Sequence, residues 1–420
     1  MHEKSTLDNG LRVVTEAMPH TRSVSINFFI GAGSRYEEPE RAGVSHFIEH
    51  LAFKGTQRRP TTKDISEAIE GVGGLLNAGT DRELTIYWCR VARPHLNLAL
   101  DVLVDMLRYS KFEPEEIERE RKVIIEELNM SLDSPHSRVG MLIDEVVWPN
   151  QALGRDVVGT KETVSSVSRP AMLDYLSHQY TPNNTVVSVA GEIEHDEVVA
   201  RMNDALGDWP PTTPMPWYPA EDGQQAPRLQ VEQRETEQAH LCLALHGLPS
   251  LHPDRYTLDL LDVILGQGMS SRLFLEIRER RGLAYAVHSY ATHYRDAGCL
   301  TIYAGVDPKQ ADATLEAILA ELNRLKEDIP EWELTKAKEL SKGRLLLRME
   351  DTRSVASWIG AQELLTDRIR TVDDIVSIID DITAKDIRRV AEELLITEKL
   401  NLALVGPFDS AERFQALLKL

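Results

Sequence analysis

The sequence has few cysteines and no long apolar run. Its three cysteines, Cys89, Cys242 and Cys299, lie far apart, are odd in number and form no CxxC pair. This pattern argues against a disulfide framework and fits a reducing compartment. No segment reaches the roughly 20 apolar residues that a bilayer span needs, and the N-terminus shows no secretory signal. We therefore expect a cytoplasmic protein without a membrane partner.

Positive charge is also in deficit. The 420 residues contain 47 Lys and Arg against 67 Asp and Glu, which gives a net charge of −20. An acidic chain repels nucleic acid and anionic membrane surfaces, so neither is expected as a partner. Acidic residues concentrated in one cleft would favour basic substrates. The same charge is equally explained by solubility.

A proline-rich stretch divides the chain. The segment "DWPPTTPMPWYPAEDGQQAP" begins at Asp208 and has little periodicity. We interpret residues 209–227 as a linker between an N-terminal domain, 1–208, and a C-terminal domain, 228–420.

The two halves repeat each other. "VVSVAGEI" is answered by "NLALVGPF", with Gly191 and Gly406 215 residues apart. "FEPEEIERE" and "IPEWELTKA" recur at an offset of 217, and "SRPAMLDYL" and "TAKDIRRVA" at 215. In each half, strand-like alternation precedes helical periodicity, and a strand closes the half. The pattern predicts an α+β fold of two tandem homologous domains, each a largely antiparallel sheet packed with helices.

The motif "HFIEH" carries the clearest chemical signal. It lies in "AGVSHFIEHLAFKGT", a helical pattern in which Ser45 either caps the helix or lies in its first turn. His46 and His50 share one helical face and can hold one Zn²⁺, while Glu49 is placed for a general base. HxxEH is the inverzincin signature. A chain with 13 histidines contains this motif by chance in roughly a few per cent of cases, so a third ligand is needed.

The segment "ERERKVIIEELNM" offers that third ligand. Its glutamates are Glu118, Glu120, Glu126 and Glu127. Glu120 and Glu127 are seven residues apart, which places them on one face of a helix. Spacing alone does not separate Glu126 from Glu127, and most glutamates on such a helix are solvated.

Three segments together carry a family resemblance. "HFIEHLAFKGT", "LNAGTDRELT" and "ERERKVIIEEL" resemble the pitrilysin and insulin-degrading-enzyme family of inverzincin zinc metallopeptidases. The branch with the mitochondrial processing peptidase β subunit and its bacterial homologues is the most similar. The resemblance covers nearly the whole chain and implies the fold described as metallopeptidase LuxS/processing-peptidase-like. It implies His46, His50 and Glu127 as ligands of one Zn²⁺ per chain, with Glu126 as the fallback. Glu49 would activate the zinc-bound water.

The resemblance also implies supporting residues near the metal. Glu120 matches an assisting acidic residue two turns before the ligand. "NAGTDRE" matches an edge strand beside the metal, on which Asn77 and Ala78 would approach the substrate backbone. Turn chemistry is the alternative role for Asn77 and Thr80.

The second half has no HxxEH. Its segment "GQGMSSRLFLEIRERRGLAYAVHSY" resembles a family motif in which an arginine and a tyrosine seven residues apart face the zinc site. Arg278 and Tyr285 have this spacing and would donate to the oxyanion or to the substrate backbone. Surface charge is the alternative role for Arg278.

The resemblance implies a zinc-dependent endopeptidase that hydrolyses short, unstructured peptides, and the negative net charge favours basic ones. The family encloses its substrates in a chamber of four such domains, and this chain supplies two. A homodimer is therefore expected, and whether Arg278 and Tyr285 serve their own or the partner's site stays open. The alternative is a catalytically silent or partner-dependent processing-peptidase-like subunit with a scaffold or assembly role.

Overall fold

A computed structural model describes residues 2–420, which form strands, α-helices, short 3₁₀ turns and a π-helical segment. The strands are β1 (His2–Thr6), β2 (Arg12–Ala17), β3 (Ser23–Ile30), β4 (Leu75–Thr80), β5 (Thr85–Ala92), β6 (Thr185–Gly191), β7 (Arg228–Gln233), β8 (Ala239–His246), β9 (Ala284–His293), β10 (Gly298–Val306) and β11 (Asn401–Gly406). The α-helices are α1 (Val44–Ala52), α2 (Thr62–Glu70), α3 (Leu96–Tyr109), α4 (Pro114–Asp133), α5 (Pro135–Val147), α6 (Lys161–Ser166), α7 (Arg169–Gln179), α8 (His195–Leu206), α9 (Arg255–Gly266), α10 (Ala311–Arg324), α11 (Glu331–Arg348), α12 (Thr352–Thr366), α13 (Val372–Asp381), α14 (Ala384–Leu394) and α15 (Glu412–Leu417).

The first compact unit is built on a six-stranded sheet. Its strand order is β1-β2-β6-β3-β5-β4, so β4 forms one edge. All neighbouring pairs are antiparallel except β2 and β6, which run parallel. The unit comprises the segment that ends at Leu128, together with Asp156–Tyr218 and Leu346–Thr371.

The second compact unit repeats this plan with five strands in the order β7-β11-β8-β10-β9. Again one pair, β7 and β11, is parallel and the others are antiparallel. The unit comprises Asn129–Arg155, Pro219–Leu345 and Val372–Leu420. Two sheets with the same single parallel pair confirm the predicted α+β class with its largely antiparallel sheets.

Helices cover both faces of the first sheet. Alternation along the strands sends Val13 and Phe28 to the face packed by α1 and α3, and Val14 and Phe29 to the face packed by α12. Helix α12 approaches closely because Gly360 lacks a side chain. A Cβ at this position would lie 2.4 Å from the Phe29 ring.

The compact units do not follow the linear halves of the sequence. The first unit takes in α12 from the second half, and the second unit takes in α5 from the first half. Each of these helices packs on the sheet of the unit that contains it. The domain boundaries 1–208 and 228–420 therefore stay a prediction about the homologous halves rather than about compact bodies.

None of the helices over residues 2–420 combines the length and the apolar character that a bilayer span requires.

Candidate metal centre and active site

A buried carboxylate fixes the start of the helix that carries "HFIEH". Helix α1 follows Gly43, whose φ of 92° favours glycine. The side chain of Glu37 accepts hydrogen bonds from the backbone N–H groups of Gly43 (2.7 Å) and Ser45 (2.8 Å). Ser45 therefore lies in the first turn and does not cap the helix. Its hydroxyl donates instead to the Tyr175 hydroxyl at 2.8 Å.

Three of the predicted site residues converge on one point. His46 and His50 project from α1, and Glu127 projects from α4. Oε2 of Glu127 lies 3.6 Å from Nε2 of His50 and 3.9 Å from Nε2 of His46. Among the described residues, these three form the one group of histidine, cysteine and acidic side chains with spacing suited to a metal ion. Glu126 is exposed and lies outside this group.

The donor set fits zinc. Two imidazole nitrogens and one carboxylate oxygen leave the fourth position of a catalytic zinc site open. Tetrahedral ligands at roughly 2.0–2.1 Å from zinc lie about 3.3 Å from one another, and the two Glu127 separations are close to this value. Burial, and then the neighbouring His50, lower the pKa of His46 to about 4, which favours the neutral imidazole that metals bind. Nδ1 of His46 is buried without a hydrogen-bond partner in the described chain. The other ring nitrogen, Nε2, is the one that faces Glu127.

Glu120 contacts His50 at Nδ1, the ring nitrogen that does not face Glu127. It is buried on α4, and its Oε2 lies 3.1 Å from Nδ1 of His50. Its other oxygen, Oε1, lies 2.7 Å from Nζ of Lys54. Burial alone would raise the pKa of Glu120, but the contacts with His50 and Lys54 lower it. For His50, burial is outweighed by the hydrogen bond to Glu120 and the charges of Glu49 and Glu127, which raise its pKa.

Glu49 lies beside the three converging residues but outside the group. Its Oε2 accepts a hydrogen bond from the Thr80 hydroxyl at 2.7 Å. Burial raises the pKa of Glu49 above that of an ordinary glutamate, and the nearby Glu127 charge adds to the effect, while the Thr80 hydrogen bond opposes it. A partly desolvated carboxylate of raised pKa suits proton transfer near neutral pH.

Thr80 ends the edge strand β4, which contacts α1. Asn77 is exposed on this strand and Ala78 is partly buried. Both pair with β5 on one side only, since β4 is the last strand of its sheet. The backbone of β4 can therefore accept an added peptide strand.

Arg278 and Tyr285 belong to the second unit and are close to each other. Arg278 lies in the π-helical segment Phe274–Arg280, and Tyr285 is the second residue of β9. The Arg278 guanidinium stacks 4.7 Å from the centre of the Tyr285 ring, which is 75% exposed. The two side chains form an exposed cation–π pair. Their role toward the zinc site stays a prediction.

Sequence reasoning missed two residues of this centre. Lys54 lies in the quoted segment "HFIEHLAFKGT", four residues after His50, where i to i+4 spacing signals a shared face. Glu37 lies in "SRYEEPERAGVSH", and no local pattern marks it because it reaches α1 across an intervening turn.

Two protein-family models match adjacent parts of this chain. The family model for insulinase, peptidase family M16, matches residues 12–161, which include the whole converging group. The model for the peptidase M16 inactive domain matches residues 166–341. The uncharacterized zinc protease YmxG of Bacillus subtilis is 39% identical over 97% of this chain and 98% of its own. This chain belongs to peptidase family M16. The predicted resemblance to pitrilysin-like peptidases is thereby confirmed.

Further M16 similarity extends over nearly the full length. An uncharacterized zinc protease of Streptomyces coelicolor is 37% identical and covers 96% of this chain and 89% of its own. The crystal structure of a protease from Helicobacter pylori superposes with a TM-score of 0.93 at 24% identity, covering 97% of this chain and 99% of the other. At that identity the likeness concerns the fold. The inactive-domain match agrees with a second half that has no HxxEH.

Proposed function

We propose that this M16 chain is a zinc endopeptidase that hydrolyses short, unstructured peptides. The observation that carries the proposal is the convergence of His46, His50 and Glu127, with the Glu49 carboxylate beside them and outside the ligand set. The ligands fit one Zn²⁺ per chain. Glu49 has the position and the raised pKa of a general base.

The side chains divide the work of hydrolysis. When bound, zinc polarises the scissile carbonyl and acidifies water. The Glu49 carboxylate takes a proton from the attacking water and delivers it to the departing amine. The Thr80 hydroxyl holds Oε2 of Glu49 in place for both transfers.

The free edge of β4 holds the substrate backbone extended through strand addition at Asn77 and Ala78. Arg278 and Tyr285 supply donors for the developing oxyanion or for the substrate backbone.

Substrate class and assembly follow from charge and domain count. A net charge of −20 favours basic peptides over acidic ones. Two domains per chain require two chains for a four-domain chamber, so we propose a homodimer. Only unfolded peptides enter such a chamber. Light scattering of the purified protein measures the assembly directly, and a mass of one chain in the active form would rule out the dimer.

The function is tested with a quenched fluorescent basic peptide. Wild-type protein and Glu49→Gln are compared for cleavage, and bound zinc is quantified in both. We expect wild type to cleave, a chelator to stop cleavage, and Glu49→Gln to keep zinc while losing activity by roughly 100-fold or more. An acidic peptide of the same length tests the charge preference.

Two results would contradict the proposal. Wild-type protein that takes up no zinc would remove the metal centre. Zinc-loaded dimer that cleaves no member of a broad peptide library would favour the partner-dependent or scaffold role over an autonomous peptidase.

A further inference from the structure

Lys54 and His50 contact the same buried carboxylate. Lys54 lies just beyond the C-terminal end of α1, where its backbone N–H donates to the Leu51 carbonyl at 3.0 Å. Its Nζ lies 2.7 Å from Oε1 of Glu120. The other oxygen of Glu120 lies 3.1 Å from Nδ1 of His50. One short segment of chain therefore contacts both oxygens of Glu120 through side chains four residues apart.

The Glu120 carboxylate depends on these two contacts for its orientation. Its side chain is 4% exposed, so water does little to satisfy or reorient it. A carboxylate that is held at just one of its oxygens can rotate about its last side-chain torsion, because terminal carboxyl torsions are broad. The Lys54 ammonium holds Oε1, and this places Oε2 against the imidazole of His50. The Lys54 side chain itself is 25% exposed.

A fixed Oε2 determines which nitrogen of His50 is available to a metal. Hydrogen bonding at Nδ1 keeps the proton there and leaves the lone pair on Nε2, the atom that lies 3.6 Å from Glu127. Glu120 and Glu127 also lie two turns apart on α4. Holding Glu120 therefore sets both the tautomer of one ligand and the approach of the helix that supplies another.

We propose that Lys54 is a positioning residue of the metal centre, acting through Glu120 on the imidazole of His50. The inference rests on the proposed zinc function and adds a residue to it. Lys54 is not a member of the converging group His46, His50 and Glu127. Its contribution is to metal affinity and ligand geometry, and outer partners of this kind change metal affinity by roughly 10-fold to 100-fold.

The test measures zinc affinity by competition with a chromophoric chelator. Lys54→Met removes the ammonium and keeps the length of the side chain, and Lys54→Arg restores a cation. Lys63→Met is the matched control, because Lys63 is 81% exposed and its carboxylate neighbour, at 3.9 Å, is Glu67 and not Glu120. We expect zinc affinity roughly 10-fold or more weaker in Lys54→Met, close to wild type in Lys54→Arg, and unchanged in Lys63→Met.

Two further readouts separate positioning from general damage to the fold. Cobalt(II) bound in place of zinc reports ligand geometry through its visible absorption, which should change in Lys54→Met and not in Lys63→Met. In a Glu120→Gln background, Lys54→Met should weaken zinc binding little further, because the residue through which it acts is already altered.

The outcomes distinguish this inference from the function on which it rests. Wild type that binds zinc, with unchanged affinity and spectrum in Lys54→Met, would overturn the role of Lys54 alone. Fully additive losses in the double variant would also overturn it. Wild type that binds no zinc would overturn the proposed function, and this inference with it.

Discussion

The hydroxyl of Thr80 donates a hydrogen bond to Oε2 of Glu49 across 2.7 Å. This contact joins the last residue of the edge strand β4 to the proposed general base on α1. The strand that we propose as the substrate-binding edge therefore also contacts the group that would move the proton. A displacement of β4 would therefore change the position of the Glu49 carboxylate through the Thr80 hydrogen bond.

The first prediction concerns this hydroxyl. Thr80→Val keeps the shape of the side chain and its strand propensity but removes the donor. We expect kcat/KM to fall by roughly tenfold, since a mispositioned base loses part of its contribution. Bound zinc should stay at the wild-type level. Thr80→Ser is the control, because it retains the hydroxyl and should keep most of the activity.

The same variant should change the pH profile. The Thr80 hydrogen bond lowers the pKa of Glu49 against the raising effect of burial. Its loss raises that pKa further, and a base acts only when ionised. The acid limb of kcat/KM should therefore move to higher pH in Thr80→Val and stay in place in Thr80→Ser. An unmoved limb with full activity in Thr80→Val would show that this hydroxyl does not act on the base.

Glu37 gives the second prediction, which concerns stability. Its buried carboxylate accepts two backbone N–H groups at the N-terminus of α1, where negative charge is favourable. Glu37→Gln removes the charge and turns an N–H₂ toward one of these donors. We expect the free energy of unfolding to fall by about 1–3 kcal/mol in urea titrations at neutral pH. Glu40→Gln, on the exposed surface nearby, should change it little.

The sequence was most informative where the chemistry is local. His46, Glu49 and His50 lie within one turn and a half of helix, so their relation follows from the geometry of a single α-helix. Glu126 and Glu127 were not separated by spacing. Adjacent residues point about 100° apart on a helix, and the packing of α4 decides which one meets the histidines.

Contacts between distant segments were beyond the sequence pattern. Lys54 meets Glu120 because α1 and the part of α4 that ends at Leu128 belong to one compact unit. The assignment of α12 to the first sheet was likewise hidden. An amphipathic pattern shows which face of a helix is apolar but does not show which sheet covers that face. The family resemblance predicted the three converging residues and the supporting Glu120, whereas the contacts of Lys54 and Glu37 came from the structure.

A third prediction concerns zinc binding and pH. Contacts with Glu120, Glu49 and Glu127 raise the pKa of His50 despite its burial. A metal needs the neutral imidazole, so zinc must displace a proton wherever the pH lies below that raised pKa. Zinc affinity should therefore weaken with falling pH from a point above the ordinary histidine pKa. Chelator competition across about pH 5 to 8 measures this dependence.

Glu120→Gln tests the cause of that dependence. Loss of the carboxylate removes the main contribution that raises the pKa of His50, so the weakening should begin at a lower pH than in wild type. Affinity at the alkaline end should also fall by roughly 10-fold or more, because the imidazole loses its orienting partner. An unchanged pH midpoint in Glu120→Gln would contradict the part assigned to Glu120.

The last prediction concerns Arg278 in the second unit. Its guanidinium stacks on Tyr285 and lies 3.8 Å from Glu279, so no tight ion pair neutralises it in the described structure. A donor used in the transition state lowers kcat and kcat/KM together when it is removed. Arg278→Ala should therefore reduce both by roughly 10-fold to 100-fold while zinc content and unfolding free energy stay at wild-type values.

Arg280→Ala is the matched control, since Arg280 is 77% exposed and pairs with Glu276. Equal losses in the two variants would point to general surface charge, whereas a loss confined to Arg278→Ala would tie this guanidinium to the reaction.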